Sequence, residues 1–195
     1  MKKFLAILVL GLLFLSAPSY ADDIRDFEIE GVTIGDSLLD YMSEEEIKEN
    51  VGFVYEDKKF TVSVYNKSSE IYDEVGIEYK SKDKTYKIHG VQGMIFFENN
   101  IEGCYKKQDE IEKEISSMFN KIKKDDRGIL VLHFKGEAAE GSTFKPITFD
   151  FNTGDTISIT CYYLTDTPQK NNLKVTMTSN ELRKYLKLTA EPANN

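Results

Sequence analysis

The chain has 195 residues, with 33 Asp and Glu against 25 Lys and Arg, and a formal net charge of −8. So acidic a surface argues against binding the phosphate backbones of nucleic acids. The length suffices for a domain with a real core, and the two cysteines allow a single bridge.

Lys2 and Lys3 precede an unbroken apolar run from Phe4 to Leu15, and the small residues Ser19 and Ala21 follow it. This is the pattern of a signal peptide over 1–21, cut before Asp22. The run is too short to span a bilayer comfortably. No cysteine follows the cut at once, so neither a lipoprotein anchor nor any other stable membrane anchor is expected after cleavage. The expected location is periplasmic or secreted, where thiols oxidise. The rest reads as a single α+β domain over 22–190, with a frayed tail at 191–195. A division into two helix-on-sheet halves, about 22–98 and 99–190, stays open.

Asp22 to Val32 begins polar and then alternates, as a short strand or extended arm does. Gly35-Asp36-Ser37 starts a brief helix over Leu38 to Met42. Ser43 with Glu46 forms a capping box for a helix running to about Asn50, which Gly52 ends. Its acidic start, Glu44-Glu45-Glu46, suits the positive end of a helix dipole. Phe60, Val62 and Val64 alternate with polar residues, as do Val75, Ile77 and Tyr79. Both describe strands with one buried face. From Tyr86 and Ile88 the parity shifts to Val91, Gly93, Ile95 and Phe97, which predicts a bulge near His89-Gly90.

Asn100 to Lys124 is the longest periodic stretch. Ile101, Cys104, Ile111, Ile115, Met118, Phe119 and Ile122 fall on one helical face, and lysines and acids on the other. Asn100 caps its start and Gly128 suits its exit. At ~1.5 Å per residue this helix would be about 35 Å long. Ile129 to Phe134 reads as an apolar central strand. Ile147, Phe149 and Phe151 lead through a hairpin turn, Asn152-Thr153-Gly154-Asp155, to Ile157, Ile159, Cys161 and Tyr163 on one face. After a polar loop, Leu173, Val175 and Met177 form a last strand, and Thr178 to Glu181 caps a short final helix. The fold class is therefore α+β: antiparallel strands with one long helix packed across them and short helices near both ends.

Local motifs assign no chemistry. His89 and His133 have neither a second histidine nor a cysteine at metal-ligand spacing. Asp150-x-Asn152-x-Gly154-Asp155 has its glycine one place too early for a calcium loop. Neither a Gly-x-Ser-x-Gly nor a glycine-rich phosphate loop occurs, so neither catalytic nor cofactor-binding residues are assigned. Paired acids for hydrolysis are set by a fold and not by local sequence. The two cysteines carry the one firm expectation. Cys104 lies on the apolar stripe of the long helix, and Cys161 on the buried face of a strand. Both faces look into one core, so Cys104 and Cys161 are expected to form a disulfide with a structural role.

Three stretches together also resemble a family. They are Gly31-Val-Thr-Ile-Gly-Asp-Ser-Leu-Leu-Asp40; Gly93-Met-Ile-Phe-Phe97 with Cys104-Tyr-Lys-Lys-Gln-Asp-Glu-Ile111; and Ile157-Ser-Ile-Thr-Cys-Tyr162 with Leu173-Lys-Val. They are similar to a group of uncharacterised small secreted proteins of marine alphaproteobacteria, and this resemblance implies export without implying an activity. The reading that follows is an exported, non-enzymatic domain that binds a protein or a small-molecule ligand. Its rivals are a secreted hydrolase using Asp/Glu pairs, and a carrier of a small apolar ligand. A filled core with an exposed apolar patch favours the binding domain, and a cleft with facing raised carboxyls the hydrolase. A large dry pocket favours the carrier.

Overall fold

Alternating and continuous apolar runs become strands β1 (Val51–Val54), β2 (Phe60–Val64), β3 (Glu74–Lys80) and β4 (Ile88–Glu98), then β5 (Lys123–Asp126), β6 (Leu130–Phe134), β7 (Glu137–Asp150), β8 (Thr156–Tyr163) and β9 (Asn171–Thr178). The helices are α1 (Glu44–Glu49), α2 (Ile101–Met118) and α3 (Asn180–Ala190). The computed structural model describes residues 23–65, 71–134, 137–165 and 171–190. The expected signal peptide over 1–21 and the tail at 191–195 lie outside them.

All pairings are antiparallel, and the strands form one sheet in the order β1-β2-β3-β4-β9-β8-β7-β5, with β6 also on β7. The sheet is larger than the sequence pattern implies, with nine strands. α2 lies across β8, β9 and β4 on one face. Ile77, Val91, Val175, Ile157 and Ile159 share one core with Cys104, Ile111 and Ile115 of α2 and with Ile24, Val32, Leu38 and Ile47 of the N-terminal segment. α3 covers the opposite face near β4, where Leu182 and Tyr185 bury Phe60. Gly90 lies beneath that helix. A methyl group there would collide with the Glu78 carboxylate and with Leu182 unless those side chains shifted, so glycine suits the close approach.

The caps are those the sequence predicts. Ser43 Oγ accepts from the Glu46 N–H, and the Glu46 carboxylate accepts from the Ser43 N–H. Asn100 Oδ1 accepts from the Gly103 N–H. The bulge is also in place: Glu78 opposes Gly90 and Tyr79 opposes Ile88, which leaves His89 as the extra residue.

Six expectations need correction. The brief helix after Ser37 is a single 3-10 turn, Leu38–Asp40. α2 stops at Met118, not near Lys124, because Phe119 turns extended and Lys123–Asp126 pairs with β7. Leu130–Phe134 is bordered by β7 alone, and Val131 stays 55% exposed, so this strand is peripheral and not central. Val51–Val54, expected only to end a helix, forms β1. Phe60 packs against α3 rather than the main core, because both faces of β2 are covered. Tyr163 is 38% exposed, unlike its neighbours Ile157, Ile159 and Cys161.

Candidate functional site

Cys104 and Cys161 face each other where α2 crosses β8. Their Sγ atoms are at bonding distance, 2.03 Å, and their Cα atoms are 6.0 Å apart. One turn along the helix, Gln108 is fully buried and its Nε2 donates to the carbonyls of Lys145 (2.7 Å) and Ile159 (2.8 Å). One side chain thereby ties the helix to two adjacent strands. Sequence reasoning missed Gln108 because it is polar. The spacing Cys104, Gln108, Ile111, Ile115 would have placed it on the buried seam.

The histidines are not brought together. His133 is exposed on β6. His89 is buried at the bulge, edge-on to Phe60 at 5.5 Å. Its Nδ1 lies 3.2 Å from Ser179 Oγ and 3.8 Å from Glu181 Oε2, beside a cleft of about 420 Å³ that also touches Arg25, Lys87 and Asp155. Burial lowers the pKa of His89, against the opposing pull of Glu181. A Ser-His-acid relay needs the serine and the acid at opposite ring nitrogens. Here both address Nδ1. Ser179 Oγ is moreover the N-cap of α3, accepting from the Leu182 N–H at 3.3 Å. The arrangement seats a helix on a sheet and lacks the geometry of a nucleophile.

The hairpin between β7 and β8 is likewise committed to structure. Asp155 Oδ1 accepts from the Asn180 N–H at 2.6 Å, and Arg183 lies 2.7 Å from Asp150. Gly154 takes φ +87°, as this turn requires. Among the described residues, no group of three or more His, Cys, Asp and Glu side chains could hold a metal ion.

Among carboxyl groups with a clear shift, Asp23, Glu44, Asp57, Asp83, Glu112 and Glu181 are held low by donors or cations. Glu78 is the exception. Burial raises it, while the Tyr55 hydroxyl (donating at 2.7 Å) and Lys174 oppose the rise. Folded Glu78 therefore keeps its proton at a pH where the unfolded chain has lost it. The stability it contributes is complete below the ordinary value of 4.5 and is lost as pH rises through the raised folded value. Glu78→Gln should remove that loss. Urea midpoints of the two proteins should converge near pH 4 and favour the variant at pH 7. A wild-type protein gaining on the variant as pH rises would refute the assignment.

The remaining feature lies at the end of the sheet. Among the described residues β1 pairs only with β2, and its other side faces no strand of the sheet. All four of its residues are exposed: Val51 at 41%, Phe53 at 53% and Val54 at 42%, with Gly52 between them. Phe53 begins an aromatic chain that runs inward, through Tyr55 at 5.1 Å and Tyr185 at 5.5 Å from Tyr55, to Phe60 at 4.9 Å from Tyr185. A bulge between Val51 and Phe53 twists the edge, but neither proline nor lysine interrupts it. Folded proteins usually protect such edges against pairing. Compared with known proteins, the chain matches no protein family, and no curated protein matches it.

Proposed function

We propose that this protein is an exported interaction module that binds an extended segment of another protein along β1. The observation that carries the reading is the terminal strand itself, with one side unpaired among the described residues and with exposed Val51, Phe53 and Val54. Strand addition to such an edge supplies main-chain hydrogen bonds for affinity and apolar contacts for selectivity. The seam beneath α2 is filled by Cys104, Gln108, Ile111 and Ile115, which favours this reading over a carrier with its cavity between helix and sheet. Among the described residues the one clearly raised carboxyl, Glu78, sits under α3 with a tyrosine and not with a second raised carboxyl, which speaks against an acid-pair hydrolase. The leader-like first 21 residues and the paired sulfurs support export, and no helix among the described residues is long and apolar enough to cross a membrane.

Photo-crosslinking in intact cells tests this. A photoreactive residue at Phe53 should yield an adduct that Val51→Lys abolishes, while the same probe at Lys113 on the wet face of α2 yields none. Both substitutions are at exposed positions and should change stability by less than ~0.5 kcal/mol. Equal adducts from Phe53 and Lys113, or an adduct indifferent to Val51→Lys, would refute the reading.

A further inference from the structure

The charges that flank β1 bear on what pairs with it. Glu49 ends α1 just before the strand, and Glu56 follows just after it; both are exposed, and neither makes an ion pair among the described residues. The neighbouring charges are mostly occupied. Lys48 lies 2.6 Å from Glu44 within α1, and Lys59 sits over the Tyr185 ring at 5.5 Å. Asp57 accepts from the Tyr185 hydroxyl at 2.7 Å. Lys58, at φ +57°, is held in the turn beyond the strand. The four-residue apolar edge therefore runs between two uncompensated carboxylates.

A second copy fits this edge badly. Two β1 strands related by a two-fold axis run antiparallel and oppose a residue to its own copy, and centring the pair on Phe53 carries Glu49 of each copy toward Asp57 of the other. Centring it on Gly52 brings Glu56 toward Lys48 instead, whose ammonium is already held by Glu44 at 2.6 Å. Like charges directly opposite on paired strands are destabilising, and a net charge of −8 opposes self-association further. The bulge at Gly52 adds a local mismatch to any self-pairing.

We infer that β1 is built to exclude its own copy and to accept an extended apolar segment with Lys or Arg on both sides, the cations meeting Glu49 and Glu56. The segment is about four to six residues long, the length that spans the strand at ~3.3 Å per residue. This rests on the reading of β1 as an interaction edge and adds the chemistry of the partner to it.

The test uses the full mature chain, isotopically labelled, with two synthetic peptides: Lys-Lys-Val-Thr-Val-Thr-Lys-Lys and its counterpart with glutamate at all four lysine positions. Amide shifts and exchange protection at Val51–Val54 report occupancy of the edge. The basic peptide should protect these amides and bind at least about tenfold more tightly than the acidic one at low salt. The preference should shrink as salt is raised. The double variant Glu49→Lys/Glu56→Lys should reverse it. Equal binding of both peptides at β1 would overturn the charge inference and leave the edge reading standing. Absence of protection by either peptide at millimolar concentration would overturn both. A concentration-dependent dimer with protected β1 amides, seen by sedimentation, would make the second copy the occupant and overturn the exclusion.

Discussion

Replacing both cysteines, as Cys104→Ala with Cys161→Ala, should destabilise the protein by about 4 kcal/mol. The two residues are 57 apart in sequence, so their bond closes a long loop and restricts the unfolded chain strongly. Both sites are buried, at 0% and 1% exposure, so alanine is compatible with the surroundings and the lost constraint dominates. Urea unfolding should show a lower midpoint for the variant, and the wild-type protein in dithiothreitol should fall to about the same value. Thiol labelling of the unfolded, unreduced protein provides the independent check. It should find neither thiol reactive. Two reactive thiols per chain would refute the bond, and an unchanged midpoint would refute its contribution.

Ile115→Ala should cost about 2–5 kcal/mol. Ile115 is fully buried on α2, and one helical turn later Phe119 packs edge-on against Phe151 at 5.0 Å. Removing three carbons there loses their transfer energy and leaves a cavity that close-packed neighbours cannot fill. Lys113→Ala, on the exposed face of the same helix, should change stability by less than ~0.5 kcal/mol. Similar small effects from both would mean that α2 is held at its N-terminal end, by the disulfide and the cap, and not by its apolar stripe.

The helix and the cysteine pair were legible because each rests on local rules. A stripe of period 3.6 fixes the buried face of α2, and Asn100 supplies a donor-satisfying start. The end of α2 was not legible. Phe119 and Ile122 continue the apolar spacing, yet β7 recruits Lys123–Asp126 as a partner strand, and tertiary pairing overrides the local pattern. β1 was hidden for a related reason. Val51-Gly52-Phe53-Val54 has no alternation, because none of its residues is buried. Its importance comes from its place at the end of the strand order, which only long-range pairing defines. The His89 bulge, by contrast, showed itself as a break in parity, since inserting one residue exchanges the faces of everything beyond it.

The position of β9 has a consequence for how the chain is assembled. This strand, Asn171–Thr178, lies between β4 and β8, and among the described strands it alone joins β1–β4 to β5–β8. Any stretch of chain that ends before residue 171 lacks the strand that pairs with both β4 and β8. The sheet is joined from its C-terminal end, with the last strand acting as a keystone whose partners lie 73 to 88 residues earlier in β4 and 10 to 22 residues earlier in β8. A ribosome or translocation channel that delivers the N-terminus first must therefore release nearly everything before the two parts can lock together.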